Sequence, residues 1–392
     1  MMIRPFTFAG TLLASLFVFA GGAAAEAPPK PAVAALFEPL QVGALKLPNR
    51  IIMAPLTRTR ADDDNVPKPI MAEYYAQRAG AGLIIAEATM VMAGHSSFWR
   101  EPGIHSEAQV KAWKVVTDAV HAKGGLIVLQ LWHGGRTCHP ALNNGAQPVA
   151  PSAIRIERGE VHTPEGRKPY VTPRELRDDE IPSIVAGFKK AAENAKLAGF
   201  DGVEIHGANS YLLDEFLRDG SNKRSGPYGG SIENRARLML EVVDACSTVF
   251  GADRVGLRLS PLNNGNGMSD SDPAAITAYV AGQVSKRGIA YLHILRGQPG
   301  QKVTDDVQNA ARQNFKGTLI GNRGYTPEEA AQSISAGQND AIAFGTLFIS
   351  NPDLPARIRQ DGPFNTPPAD RSTYYGPGLK GYADYPSLPE TR

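Results

Sequence analysis

Eight short apolar runs, each followed by a stretch of helical period, constrain this chain more than any other feature. The runs occupy residues 50–56 (RIIMAPL), 82–89 (GLIIAEAT), 126–132 (LIVLQLW) and 202–206 (GVEIH). They continue at 255–260 (VGLRLS), 290–295 (AYLHIL), 318–322 (TLIGN) and 340–345 (DAIAFG). Their apolar residues are contiguous rather than alternating, the signature of strands covered on both faces of a parallel sheet. Between them lie amphipathic segments such as EAQVKAWKVVTDAVHAKG and IPSIVAGFKKAAENAKLAG. Several end in Gly just before the next strand, the expected helix stop. TPEE supplies a start, with Thr326 as cap and Pro327 in the first turn. Eight such units in succession predict an α/β fold, a single closed (β/α)8 TIM barrel. An open doubly wound sheet competes, but no G-x-G-x-x-G turn follows the first strand.

The organisation outside the barrel is simpler. Residues 1–25 have Arg4 near the start, an apolar stretch and a small-residue site at Ala23-Ala24-Ala25, the layout of a secretory signal peptide. The apolar part falls short of the ~20 residues that a membrane span needs. Residues 26–35 read as a linker, and 36–388 as the barrel with a C-terminal extension. Forty-one basic against thirty-nine acidic residues, with no long basic run, exclude a nucleic-acid-binding body. Two cysteines, Cys138 and Cys246, exclude a disulfide framework and a four-thiolate cluster. Oligomeric state leaves no mark in the sequence.

Barrel enzymes build their sites at the C-terminal ends of the strands. Polar side chains collect there: Thr57 and Arg58 after the first strand, Glu87 and Thr89 on the second, Gln130, Trp132 and His133 on the third. The fourth delivers His206, Asn209 and Tyr211, the fifth Arg258, and the seventh Asn322 and Arg323. Long polar insertions at roughly 133–178 and 218–231 fall on the same side. Each residue alone has a bland role; a lone strand-end histidine is more often structural than a ligand. Arg258 within GLRLS is harder to dismiss, because a guanidinium inside a barrel needs a partner or an anion. The histidines show no metal-ligand spacing, and no G-x-S-x-G elbow is present. Amide, hydroxyl and cationic donors together suit a flat polar heterocycle with a phosphate tail.

LFEPLQVGALKLPNRIIMAPLTRTR, LQLWHGGR, GFDGVEIHGANSYLLDEFL, RSGPYGGSIENRARLMLEVVDA and YYGPGLKGYADYPSL together resemble the Old Yellow Enzyme family of FMN-dependent ene-reductases. The resemblance runs in order through residues 36–388. It implies FMN as cofactor, NAD(P)H as reductant, and a small electrophilic alkene or nitro compound as substrate. It implies that Thr57 and Gln130 meet the flavin ring, with the backbone of Ala54, Pro55, Leu56 and Ala88 shaping its site. Arg258 would face the N1/C2=O end, where reduced flavin carries negative charge. His206 and Asn209 would bind the substrate's oxygen, and Tyr211 would protonate the α-carbon after hydride reaches the β-carbon. Trp132 and Tyr375 would line the substrate pocket.

Three departures stand out. At the end of the eighth strand the family often has Gly-Arg, the Arg meeting the FMN phosphate; here it is Gly345-Thr346. Either Thr346 and backbone N–H groups suffice for that phosphate, or Arg323, at the end of the seventh strand, supplies the missing cation; Asn322, Arg323, Gly345 and Thr346 are all expected among the cofactor-binding residues. Phe98 stands where relatives commonly place Tyr. Finally, a signal peptide points to a periplasmic or secreted protein, whereas NAD(P)H is a cytoplasmic reductant. An exported flavin-binding protein, with another electron donor or without turnover, is therefore the competing expectation. The longer 2,4-dienoyl-CoA reductase type is set aside, since two cysteines cannot hold its iron–sulfur cluster.

Overall fold

The alternation of strands and helices closes on itself. The computed structural model describes residues 1–2, 28–366 and 371–389; the expected signal segment lies, but for its first two residues, outside them. The strands are β1 (Ile51–Met53), β2 (Leu83–Met90), β3 (Ile127–Trp132), β4 (Gly202–Gly207), β5 (Val255–Leu259), β6 (Tyr291–Leu295), β7 (Thr318–Asn322) and β8 (Ala341–Phe344). Each lies on one of the eight expected runs. All pair in parallel, and β8 pairs with β1 to close the barrel.

The intervening helices are α1 (Pro69–Ala76), α2 (Glu107–His121), α3 (Ile181–Leu197), α4 (Leu212–Leu217), α5 (Ile232–Phe250), α6 (Pro273–Arg287), α7 (Lys302–Asn314) and α8 (Pro327–Ser335). Thr326 and Glu329 form the reciprocal cap of α8, which satisfies two otherwise unpaired backbone donors. α2 is capped in the same way by Ser106 and Gln109. Apolar faces of these helices bury Trp113, Phe188 and Val242 against the outward side of the strands. Among the described residues no helix is long and apolar enough to cross a membrane.

The floor of the barrel was not legible in the sequence. Leu40–Val42 and Leu45–Leu47 form a short antiparallel hairpin. Its Val42, Leu45 and Leu47 pack with Leu83, Ala290 and Ala341 from the strands' N-terminal ends. Gly43 turns this hairpin at φ +53, and a Cβ there would lie 2.1 Å from the Asp253 carbonyl oxygen, so glycine is required. With the bottom plugged, the interior can open only at the C-terminal rim.

The C-terminal extension is fastened over that rim by three buried arginines. Arg58 Nε donates to Tyr374 O at 2.9 Å and Nη2 to Gly381 O at 2.7 Å. Arg60 reaches Thr373 O at 2.9 Å and Tyr374 O at 3.0 Å. Arg78 lies 3.7 Å from the Tyr74 ring centroid, and Tyr74 stacks on Tyr382 at 4.0 Å. Guanidinium groups spread over carbonyls and ring faces are well suited to hold an irregular segment. The long insertion after β3 also has structure of its own: an antiparallel hairpin pairs Glu160–Thr163 with Gly166–Pro169.

Candidate active site

Strand register sets the interior of the site. Gln130 of β3 lies beside Glu204 of β4; one layer higher, His206 of β4, Arg258 of β5 and His293 of β6 stand in a row. Gln130 Nε2 donates to Glu204 Oε1 at 2.7 Å, and Glu204 Oε2 meets His293 Nδ1 at 2.8 Å. With its amide nitrogen committed to Glu204, Gln130 offers the cavity an acceptor oxygen. Arg258 donates from Nη2 to Asn322 Oδ1 at 2.9 Å, and Asn322 is fixed in turn by its bond to Ala343 O at 2.7 Å. Arg258 Nε is buried without a partner. Burial pulls this guanidinium below its usual pKa, against the opposing pull of Glu204. A desolvated cation with an unused donor is a place built to meet negative charge.

The turn from β4 into α4 delivers the other polar groups. Asn209 and Ser210 are consecutive left-handed residues, at φ +57 and +65, a conformation that costs non-glycine residues free energy unless the surroundings enforce it. Asn209 N–H donates to Ser260 Oγ at 2.7 Å and Ser210 N–H to Asp214 Oδ2 at 2.8 Å. Burial raises the Asp214 pKa to about 6, with Arg218 opposing. His206 Nδ1 accepts the Ala208 N–H at 3.3 Å, which places the proton of the neutral ring on Nε2. Burial first, then the Arg258 charge, holds the imidazole well below its ordinary pKa. His206 is therefore a neutral donor at pH 7. Tyr211 stands 4.9 Å from His206, ring centroid to centroid, at 85°. Burial, then Glu101, pushes its phenol well above 10, so it keeps its proton.

Pro55, Leu56, Thr57, Ala88, Gln130, His206, Asn209, Tyr211, Arg258, Thr346 and Tyr375 share one cavity of about 270 Å³. Residues from six different strand ends thus converge. Phe98 and Tyr375, whose rings stack at 6.0 Å, and Tyr211 continue into a second chamber of about 430 Å³.

Other expected residues sit elsewhere. Trp132, expected on the pocket wall, is fully buried and packs edge-on behind Tyr211 at 4.4 Å. Ala54 is buried, its N–H bonded to Phe344 O at 3.0 Å, and lies close to Gly345. Arg323 is exposed and donates to Arg296 O at 3.3 Å. Glu87 is buried against the Tyr75 hydroxyl at 3.1 Å, and burial raises its pKa to about 7. Thr89 bonds back to Glu87 O at 2.8 Å. His133 lies outside the cavity, its ring 3.8 Å from that of His95, centroid to centroid, and tilted 33° to it.

The fold also makes a cluster that sequence spacing did not reveal: ligand atoms of His95, His133 and Cys138 lie within 4.8 Å of one another. Cys138 Sγ–H donates to His95 O at 3.0 Å, and burial pushes the thiol pKa up.

A floored (β/α)8 barrel with these donors at its rim defines a barrel oxidoreductase built around a flat polar cofactor. FMN fits the residues present: an acceptor at Gln130, a cation with an unused donor at Arg258, and the β1 end beside them. Residues 35–365 match the NADH:flavin oxidoreductase / NADH oxidase family. A probable flavin mononucleotide-dependent alkene reductase from Leishmania infantum is 45% identical over 358 residues, 90% of this chain and 97% of that protein. Morphinone reductase in complex with tetrahydroNAD superposes with a TM-score of 0.87 at 48% identity, covering 91% of this chain and 98% of that one. The Old Yellow Enzyme homologue from Zymomonas mobilis gives 0.87 at 46% identity, covering 90% and 99%. The chain belongs to this family, the Old Yellow Enzyme group, and is an FMN-dependent NAD(P)H oxidoreductase of the ene-reductase type.

Proposed function

We propose that the enzyme reduces the C=C bond of α,β-unsaturated carbonyl or nitro compounds, using the β4–α4 turn as its chemical centre. The observation that carries this reading is the trio His206, Asn209 and Tyr211 on one cavity beside Arg258 and Gln130. FMN, when bound, supplies the hydride. Thr57, Gln130 and the backbone of Ala54, Pro55, Leu56 and Ala88 would hold its ring, and Arg258 would stabilise the charge of its reduced form. Asn322 acts through Arg258, whose guanidinium it fixes.

His206 Nε2–H and the Asn209 amide donate to the substrate's carbonyl or nitro oxygen and draw electron density from the conjugated bond. Both donors are neutral, so they polarise without depending on a protonation state near pH 7. Tyr211 then delivers its proton to the α-carbon; its raised pKa keeps it loaded until carbanion character develops. Trp132 supports Tyr211 from behind rather than touching substrate, and Tyr375 with Phe98 forms the aromatic wall. Gly345 and Thr346, at the end of β8, and Arg323 are assigned to the phosphate end of FMN.

The test is direct. Purified protein is expected to be yellow, to bleach anaerobically with NADPH or NADH, and to regain colour when 2-cyclohexenone is added. Colourless protein that takes up no FMN, or reduced protein that the enone does not reoxidise, overturns the proposal.

A further inference from the structure

We propose that Asn263, in the loop after β5, is a positioning residue that decides which end of the Asn209 amide faces the substrate. This rests on the reading of Asn209 as a donor to the substrate's oxygen. The two ends of an asparagine amide are nearly the same shape, so packing does not choose between them; hydrogen-bond partners do. A carbonyl end turned toward the cavity would repel a substrate oxygen instead of binding it.

The choice can be traced outward to a group that has no freedom. Asn263 Oδ1 accepts the Gly265 backbone N–H at 3.1 Å, and a backbone N–H is only ever a donor. Asn263 is thereby oriented, with its Nδ2 on the other side. That Nδ2 lies 2.9 Å from Asn209 Oδ1. A donor there fixes Oδ1 as the outward end of Asn209 and leaves Nδ2 for the cavity.

The loop that carries Asn263 is itself tied to the turn it controls. Arg218, buried at the end of α4, donates to Ser260 O at 3.0 Å, Asn263 O at 3.2 Å and Asn264 Oδ1 at 3.2 Å. Asn266 Nδ2 donates to Ser210 Oγ at 2.7 Å, and Arg136 holds Asn266 O at 2.9 Å. Ser260 Oγ accepts the Asn209 N–H. Both ends of the segment 260–266 are therefore pinned to residues 209–218. The polar stretch PLNNGNGM is a frame for one amide.

The experiment measures the dissociation constant of p-hydroxybenzaldehyde for the FMN-loaded enzyme, from the long-wavelength absorbance its phenolate develops with the flavin. Asn263→Asp keeps the size and the acceptor for Gly265 but turns an oxygen toward Asn209 Oδ1, which drives the amide to flip. The expected weakening is ~10- to 100-fold, the cost of a lost charge-assisted bond. In an Asn209→Ala background the same substitution should change affinity less than ~2-fold, since coupled residues are non-additive. Asn263→Ala, which removes the donor without adding repulsion, should weaken binding several-fold with the same loss of effect in that background. FMN bound per chain reports that each variant has folded. Equal effects of Asn263→Asp in both backgrounds, or no effect in either, overturn the inference while Asn209→Ala alone still weakens binding. An Asn209→Ala variant that binds as tightly as the wild type overturns the donor role itself, and the inference with it.

Discussion

Strand β3 ends in Trp132-His133-Gly134 and strand β4 in Ile205-His206-Gly207, and the two histidines solve the same local problem in the same way. Each imidazole accepts, at Nδ1, the backbone N–H two residues further on: Gly135 for His133 at 3.1 Å, Ala208 for His206 at 3.3 Å. Burial holds both well below the usual histidine pKa. The difference is what stands before Nε2. For His206 it is the cavity shared with Asn209 and Arg258; for His133 it is protein, and the atom is buried without a partner beside the His95 ring. Burial and a perturbed pKa are therefore common to both and cannot by themselves mark a catalytic residue. What separates the two is the direction of one nitrogen.

Substitutions should separate the two. His133→Ala removes a ring packed on all sides and is expected to cost about 2–4 kcal/mol of stability, by analogy with other buried large-to-small changes. Its ligand affinity, measured by p-hydroxybenzaldehyde titration of the folded fraction, should stay within about 2-fold. His206→Ala should do the reverse and weaken that ligand by about 10- to 100-fold, or about 1.4–2.7 kcal/mol. Comparable affinity losses in both variants would dissolve the distinction.

pH sharpens the same comparison. His133 is neutral when folded and titrates near 6.5 when unfolded. Its folded pKa is depressed, so the stability it contributes is present above pH 6.5 and lost as pH falls below that value. Urea denaturation of wild type and His133→Gln should show their stability difference shrinking by up to about 1.4 kcal/mol per pH unit below 6.5. A difference that stays constant from pH 7 to 5 would mean that His133 is already protonated or already exposed in the native state.

The smallest expected effect belongs to Arg323, which is exposed and already bonded to Arg296 O. If it is the cation of the FMN phosphate, Arg323→Ala should weaken FMN by about 2- to 10-fold, as a solvent-screened charge would. An unchanged FMN dissociation constant assigns the phosphate to Thr346 and the backbone alone.

Much of this molecule was legible in its sequence, and the reasons differ by region. The barrel was legible because eight contiguous apolar runs leave a parallel sheet few alternatives. The rim was legible because position along a strand fixes which end a side chain occupies. Facing was not: Trp132 and His133 lie at the right end of β3 but turn from the cavity, and only neighbouring strands and His95 decide that. The floor hairpin escaped because its strands have three residues each and derive their stability from contacts with distant strand ends. The arginine clamp escaped for a similar reason. Arg58 reads as a rim residue, yet its partners are carbonyls of the C-terminal extension, far along the chain. Nor does sequence spacing show that Asn263, in the loop after β5, bonds Asn209.

In the proposed reaction Tyr211 acts as the proton donor while its neighbours hold oxygen. Stopped-flow measurement of both half-reactions of Tyr211→Phe tests this most directly. Flavin reduction by NAD(P)H should be nearly unaltered, whereas reoxidation by 2-cyclohexenone should slow by about 100-fold or more, the usual contribution of a general acid. Equal slowing of the two half-reactions would contradict it.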